Sequence, residues 1–351
     1  MASAEDGSPE GNDPFHGRRQ DHRRTWRFIG VVGLIAVAYV SAMAWQHLST
    51  EADVAGPTVT TSVVPATAGQ SSEVEHPSSA PPVRGDSQVL DEPCGRVSTG
   101  FIDAIRSCRV LRPVSPPASP MPVVLVLHGL AGDIPSTVEI AGLREAVSRD
   151  GFVAVVPQGV LGSWNAGRCC GLAQTSGSDD VTYLRNLLET VSRTPGVDRG
   201  RRYAVGFSNG GMMAYRLLCD AQSQLVGIVS VMGTDVAGCA PAAPASVLHI
   251  AGTGDTAVPY DGGRSVVAAV LGVDLPPVES TLEALAADFG CARKPATTRQ
   301  GRGVVRRDWT GCRDSARVEL LTLDGVGHEW PRGNPIDATE TALRFLGVAS
   351  R

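Results

Sequence analysis

Residues 203–213 read Tyr-Ala-Val-Gly-Phe-Ser-Asn-Gly-Gly-Met-Met and carry the most informative pattern in the chain. A short apolar run leads into Gly206, and Ser208 lies between Gly206 and Gly210 before a helix-like segment. A serine at such a sharp strand-to-helix turn adopts a strained backbone conformation, and glycine two residues before and after it lets the strand and the helix approach closely. The pattern therefore predicts a nucleophile elbow that exposes the Ser208 hydroxyl at the top of a sheet.

A nucleophilic serine needs a general base, and His328 is the best candidate among the seven histidines. It lies in the loop 325–331, after an apolar run, where it could reach a serine on another strand. His249 lies inside an apolar run and is expected to be a core residue. His128 is followed by glycine and is expected to shape an oxyanion loop. The other histidines precede the predicted folded region and are His16, His22, His47 and His76.

A carboxylate must orient the imidazole, and Asp255 is the strongest candidate for that role. It follows the apolar run 247–251 at the carboxyl end of a predicted strand, and it lies between the serine and the histidine in the chain. Asp235 and Asp324 occupy similar strand ends. They remain alternatives, with Asp235 the stronger of the two.

Short, continuous apolar runs alternate with helix-like segments after residue 120. Continuous runs are typical of strands buried on both faces, so the alternation predicts a mostly parallel sheet flanked by helices, an α/β fold. Asp179 and Asp180 are expected to cap a helix rather than to act in catalysis. The predicted strands are 123–127, 153–156, 203–205, 228–232, 247–251 and 318–323, and the predicted helices are 136–148, 180–192, 210–219, 280–289 and 338–346.

The successive motifs between residues 94 and 346 resemble those of secreted esterases related to polyhydroxybutyrate depolymerases and to bacterial feruloyl and acetylxylan esterases. The motifs are Leu127-His128-Gly129, Pro157-Gln158-Gly159, Ser163-Trp164-Asn165 with Cys169-Cys170-Gly171, Asp179-Asp180-Val181, 205–213, 248–260 with Gly262-Gly263, and Gly327-His328-Glu329-Trp330-Pro331.

The resemblance implies a single catalytic domain with the α/β-hydrolase fold and a triad of Ser208, Asp255 and His328. It also implies an oxyanion hole formed by backbone N–H groups and substrate binding by aromatic side chains. The oxyanion loop, Leu130-Ala131-Gly132-Asp133, departs from the cysteine- and glutamine-containing version common in the family. This departure leaves substrate preference open. The oxyanion donors would be Leu130 and Asn209, and the substrate-binding residues would be Trp164, Trp330 and His128.

The activity implied is hydrolysis of carboxylic esters through an acyl-enzyme, with acyl or feruloyl esters of carbohydrate, or short polyhydroxyalkanoate esters, as substrates. A peptidase on the same scaffold and a catalytically inactive surface binding protein remain alternatives. We expect a monomer without a cofactor. We expect no metal site, because histidines are few and the cysteines lack paired C-x-x-C spacing. The net charge of −5 argues against nucleic-acid partners.

The first 92 residues predict that the esterase domain lies outside the cytoplasm. Residues 28–45 are uncharged and form either a transmembrane anchor or a signal peptide. Arginines precede this segment and no Lys or Arg follows until Arg84, so the positive-inside rule makes 1–27 a cytoplasmic tail. Residues 46–92 are rich in Pro, Ser and Thr and predict a disordered linker before the esterase domain, 93–351. The domain would be anchored to the cell membrane or, after cleavage, secreted.

Eight cysteines follow the predicted linker, and an even number in an oxidising compartment predicts disulfides. Cys94 with Cys108 and Cys291 with Cys312 would close short loops, and Cys219 with Cys239 would tie the helix after the serine to the next loop. The adjacent Cys169 and Cys170 could instead share partners with Cys219 and Cys239.

Overall fold

The computed structural model describes residues 89–94, 106–301 and 303–349. The predicted cytoplasmic tail, the predicted membrane segment and the predicted linker up to residue 88 lie outside the described residues. Within the described ranges, every helix is too short or too polar to cross a bilayer.

A ten-stranded sheet forms the centre of the described structure. Its strands are β1 (Val89–Pro93), β2 (Cys108–Pro113), β3 (Met121–Leu127), β4 (Val153–Pro157), β5 (Val197–Phe207), β6 (Gly227–Val231), β7 (Ser246–Gly252), β8 (Ala296–Arg299), β9 (Val304–Trp309) and β10 (Val318–Leu323).

The strand order is β1-β2-β4-β3-β5-β6-β7-β10-β9-β8. The six central strands, from β4 to β10, pair in parallel, whereas β1 and β2 at one edge and β9 and β8 at the other pair antiparallel. The parallel centre agrees with the prediction from the apolar runs, all six of which are central strands. The carboxyl ends of these strands share one edge of the sheet, where catalytic groups gather in open α/β folds.

Helices cover both faces of the sheet. Residues that alternate along β3 belong to two different apolar clusters, with Leu125 in one and Val124 and Val126 in the other, so both faces of this strand are buried. The helices are α1 (Ile134–Ile140), α2 (Leu143–Asp150), α3 (Gly171–Thr175), α4 (Asp180–Ser192), α5 (Asn209–Leu218), α6 (Val266–Leu271), α7 (Val278–Asp288) and α8 (Ala338–Phe345).

The predicted single helix 136–148 is wrong, because this segment forms α1 and α2. Gly142 has φ +55°, a left-handed conformation that interrupts the helix between them. The first helix also begins before the predicted boundary, because Asp133 caps it by accepting a hydrogen bond from the N–H of Ser136. The other four predicted helices agree with α4, α5, α7 and α8 to within two residues.

The described cysteines form four disulfides. The pairs Cys94–Cys108, Cys219–Cys239 and Cys291–Cys312 agree with the predicted local loops. Cys169 bonds to its neighbour Cys170, so these two do not share partners with Cys219 and Cys239.

Candidate active site

Ser208 lies in the turn between β5 and α5, with φ +52° and ψ −118°. Few L-residues adopt this conformation, and such strain is typical of functional positions. A Cβ at Gly206 would collide with the carbonyl group of Gly210, and a Cβ at Gly210 would collide with the carbonyl oxygen of Leu127. Both glycines are therefore required for the close approach of strand and helix, as a nucleophile elbow demands.

Three side chains from three different strand ends meet at this turn. The Ser208 Oγ lies 2.9 Å from Nε2 of His328, and Nδ1 of His328 lies 2.7 Å from Oδ2 of Asp255. With the imidazole neutral, Nδ1–H donates to the carboxylate, which leaves Nε2 free to accept the serine proton. The arrangement can activate the hydroxyl as a nucleophile.

The Asp255 carboxylate is rigidly held. Its Oδ1 accepts hydrogen bonds from the backbone N–H groups of Ala257 and Val258, both at 2.8 Å. Its side chain is buried, whereas the His328 ring is partly exposed. The loop after β7 therefore fixes one carboxylate oxygen and points the other at the imidazole.

The two alternative aspartates contact other groups. Asp235 accepts a hydrogen bond from the N–H of Ala237, and burial raises the pKa of its carboxyl. Asp324 accepts from the hydroxyl of Thr253. Of the three candidates, the structure brings Asp255 to His328.

The backbone around Ser208 offers N–H groups to a developing oxyanion. The N–H of Ser208 itself donates to the carbonyl of Val231 at 2.8 Å. Asn209 is the first residue of α5, so its N–H has no acceptor within the helix. A Cβ at Gly129 would lie 3.4 Å from the Cβ of Ser208, so the backbone leading to Leu130 runs beside the nucleophile. Of the two predicted oxyanion donors, Asn209 directly follows the serine and Leu130 follows a residue that lies beside it.

His128 is buried, and both of its ring nitrogens bond to backbone groups. Its Nε2 accepts a hydrogen bond from the N–H of Gly159 at 2.9 Å, and its Nδ1–H donates to the carbonyl of Gly129 at 2.7 Å. Burial lowers the pKa of the imidazole, which favours the neutral form that this pair of bonds requires. Both ring nitrogens thus bond to the backbone, as expected for a residue that shapes the oxyanion loop, and neither is left for the substrate contact that the resemblance implied.

Trp164 also has a different place from the one predicted, because its side chain is 0% exposed. Its indole Nε1–H donates to the carbonyl of His128 at 3.0 Å. Its backbone N–H donates to Oδ1 of Asn209 at 2.8 Å, and its carbonyl accepts from Nδ2 of Asn209 at 3.0 Å. Trp164 therefore links the His128 strand end to the residue after the nucleophile and is enclosed too fully to contact a substrate.

Trp330 and the triad residue His328 both pack against the ring of Phe207. The centroids of the Phe207 and His328 rings are 5.0 Å apart. The Trp330 ring meets the Phe207 ring edge-on, with their centroids 6.3 Å apart. The Trp330 indole donates to the hydroxyl of Thr339. Trp330 thus packs against Phe207, a residue that the sequence did not single out, and its substrate contact stays a prediction.

Two further polar side chains fix the loops of the site. Gln158 accepts a hydrogen bond from the N–H of Ile134 and donates to the carbonyl of Gly132, which joins β4 to the oxyanion loop. Asp180 accepts from the N–H of Asn165 at 2.6 Å and forms an ion pair with Arg106 at 2.6 Å. Burial raises the pKa of the Asp180 carboxyl, and the guanidinium opposes that shift.

The helix cap at α4 is formed by Asp179, whose side chain accepts from the N–H of Thr182. Asp180 was also expected to be a cap, and it is instead buried beneath the loop that carries Trp164. The predicted structural role holds for both aspartates, but only the first is a cap.

His249 is a neutral core residue on β7, as expected. Its Nδ1 lies 2.8 Å from the hydroxyl of Tyr215, and burial lowers the pKa of the imidazole to about 3. Across the described ranges, no three His, Cys, Asp or Glu side chains are grouped as a metal site requires.

The Trp164→Phe variant is expected to lower kcat for ester hydrolysis about tenfold with little change in KM. Phenylalanine keeps an aromatic ring but cannot donate a hydrogen bond to the carbonyl of His128. The backbone before Leu130 is therefore held less firmly in position. A displaced oxyanion donor weakens the binding of the transition state more than the binding of the ester substrate. Steady-state kinetics on a 4-nitrophenyl ester measure the effect.

Trp309→Phe is the matched control, because Trp309 is also buried and its indole nitrogen has no hydrogen-bond partner among the described residues. It should leave kcat within twofold of the parent. Equal losses of kcat in the two variants would contradict a specific role for Trp164.

Comparisons with known proteins agree with the resemblance that the motifs indicate. NocK of Nocardia uniformis subsp. tsuyamanensis, named as a candidate esterase, is 29% identical over 227 residues, which cover 60% of this chain and 66% of NocK. Feruloyl esterase B of Piromyces equi is 27% identical over 221 residues, which cover 59% of this chain and 39% of that enzyme. The chain thus spans less than two thirds of these first two relatives. No family model matches it.

Among solved structures, an acetyl xylan esterase from Aspergillus awamori aligns over 74% of this chain and 100% of its own, with a TM-score of 0.55 and 16% identity. At that identity the likeness concerns the fold. The chain has the α/β-hydrolase fold, and its curated relatives carry esterase names.

Proposed function

We propose that this relative of feruloyl esterases is a serine esterase that hydrolyses carboxylic esters through an acyl-enzyme. The observation that carries the proposal is the chain of hydrogen bonds from the Ser208 hydroxyl through His328 to Asp255, at 2.9 and 2.7 Å. It lies at a strained elbow of an α/β-hydrolase fold, where a nucleophile and its base are expected.

In the acylation step, the Oγ of Ser208 forms a bond to the ester carbonyl carbon while His328 accepts the serine proton at Nε2. The carbonyl oxygen becomes an oxyanion, which accepts hydrogen bonds from the N–H groups of Leu130 and Asn209. Loss of one such donor typically lowers kcat by about 10²- to 10³-fold. The bond to the leaving oxygen then breaks, and His328 gives its proton to the departing alcohol.

In the deacylation step, water attacks the acyl-enzyme and His328 removes a proton from it. The second tetrahedral intermediate uses the same two N–H groups. When the bond to the Oγ of Ser208 breaks, the imidazolium returns the proton to the serine and the carboxylic acid leaves. Asp255 stabilises the imidazolium in both steps.

The proposed substrates are acyl or feruloyl esters of carbohydrate, with short polyhydroxyalkanoate esters as the second class. The name of the relative feruloyl esterase B supports the feruloyl part of this choice. We further propose that the enzyme acts as a monomer outside the cytoplasm, held at the membrane by residues 28–45 or released by cleavage there. The four disulfides support an oxidising compartment.

A matched pair of substrates tests the reaction class. The full chain, produced in an oxidising compartment, should hydrolyse 4-nitrophenyl butyrate at least a hundredfold faster than butyryl 4-nitroanilide, and feruloyl and acetyl sugars should be turned over beside 3-hydroxybutyrate oligomers. A fluorophosphonate should label Ser208, as peptide mass spectrometry would show.

Comparable turnover of the anilide would favour a peptidase. An intact fold that neither turns over esters nor reacts with the fluorophosphonate would favour an inactive binding protein. Either result would overturn the proposed function.

A further inference from the structure

The turn between Val160 and Ser163 contains an unusual leucine. Val160 and Ser163 pair as an antiparallel bridge, and the two residues between them, Leu161 and Gly162, have φ of +47° and +72°. Tight turns with two left-handed central residues strongly prefer Asn, Asp or Gly, because a bulky side chain is strained there. Leu161 is nevertheless the first central residue.

Packing in the core does not account for the leucine at position 161, because its side chain is 79% exposed. A leucine at this position therefore costs backbone strain and gains little packing within the described chain. Strain of this kind persists where a residue has a role outside the fold itself. The side chain is available to an apolar group that comes from solution.

The turn is fastened to the oxyanion loop. The carbonyl of Gly162 accepts a hydrogen bond from the N–H of Ala131 at 2.7 Å. A Cβ at Gly162 would lie 3.1 Å from the Cα of Ala131, so the two backbones are in contact. Ala131 follows Leu130, the proposed oxyanion donor, so the turn that carries Leu161 is bonded to the residue next to that donor.

A second exposed leucine flanks the same loop. Leu172, near the start of α3, is 56% exposed. It follows Gly171, at which a Cβ would lie 3.2 Å from Cδ1 of Leu130. Two exposed leucines thus adjoin the oxyanion loop from two different segments.

We propose that Leu161 and Leu172 form an apolar subsite for the part of the ester next to the reacting carbonyl, which selects aromatic or longer aliphatic esters over acetyl esters. This subsite rests on the proposed esterase function. The shared chemistry is an apolar group, carried by either the acyl part or the alcohol part of the substrate. One apolar contact in an enzyme site changes kcat/KM by tenfold or more.

The test uses Leu161→Asn and Leu172→Asn, each assayed in the full chain with two series of esters. The acyl series compares 4-nitrophenyl butyrate and 4-nitrophenyl ferulate with 4-nitrophenyl acetate, and the alcohol series compares benzyl acetate with methyl acetate. Leu90→Asn is the matched control, because Leu90 is 47% exposed on the edge strand β1.

Each subsite variant should lower the preference for the apolar ester, as a ratio of kcat/KM values, about tenfold in one series, whereas Leu90→Asn should leave both ratios unchanged. A fall in the acyl series assigns the acyl group to the leucines, and a fall in the alcohol series assigns the alcohol. Asparagine tolerates a positive φ, so Leu161→Asn should also raise the midpoint of thermal unfolding.

Unchanged ratios in both series, with an active parent, would overturn the subsite and leave the esterase proposal intact. A parent that turns over none of these esters and is not labelled at Ser208 would overturn the esterase proposal, and the subsite with it.

Discussion

Replacing Ser208 with alanine is expected to lower kcat for ester hydrolysis by about 10⁴-fold or more. Alanine removes the Oγ that would attack the ester and leaves His328 without a proton to accept. The residual rate would come from oxyanion stabilisation and binding alone. The fold should be kept, because alanine retains the Cβ of serine and the substitution therefore adds no new steric strain at φ +52°.

Ser230→Ala is the matched control for this variant. Ser230 is buried on β6, and its hydroxyl has no hydrogen-bond partner in the described part of the chain. Its loss should leave kcat within a few-fold of the parent. Burst kinetics and fluorophosphonate labelling should be lost in Ser208→Ala and kept in Ser230→Ala. A Ser208→Ala protein that folds and keeps more than a tenth of the parent rate would exclude the acyl-enzyme mechanism.

The central sheet could be predicted from the sequence because its strands are buried on both faces. Runs such as Val123–Leu127 indicate a buried strand directly, because side chains that alternate between the two faces of a sheet are all apolar only when both faces are buried. The antiparallel edge strands lack that signal. All four residues of β8 are exposed, and β9 carries buried residues only at its two ends, Val304 and Trp309, so neither strand stands out from a loop.

The candidate triad could also be predicted, because each member follows a recognisable strand and the chain order is restrictive. What could not be predicted is the direction of each side chain. Trp164 was expected to face the substrate, but its indole N–H needs an acceptor when buried and finds the carbonyl of His128. That acceptor lies 36 residues earlier in the chain, and only the packing of β3 beside β4 brings it within reach.

The contacts of Gln158 and Asp180, the polar side chains that hold the loops, could not be predicted for a similar reason. Gln158 appeared in a motif without a role and Asp180 was expected to cap a helix, because a sequence pattern does not show which backbone groups are left without partners inside a fold. Their partners are backbone N–H groups of Ile134 and Asn165, which buried loops must satisfy.

The Asp255→Asn variant is expected to lower kcat by roughly 10³- to 10⁴-fold with the fold intact. The N–H groups of Ala257 and Val258 both point at Oδ1, so the amide oxygen of asparagine must occupy that position to accept them. Its NH₂ group is then directed at Nδ1 of His328. The imidazole must place its proton on Nε2 in response, and that nitrogen can no longer accept the proton of Ser208.

Asparagine at the other two aspartates distinguishes loss of the hydrogen bond that orients His328 from loss of a negative charge. Asp324→Asn and Asp235→Asn each remove one negative charge near the same edge of the sheet, but neither carboxylate contacts His328. Both should keep kcat within about tenfold of the parent, whereas Asp255→Asn should also lose fluorophosphonate labelling in proportion to kcat. If Asp235→Asn were the more damaging change, the orienting carboxylate would be Asp235, and the hydrogen bond between His328 and Asp255 would have a structural role only.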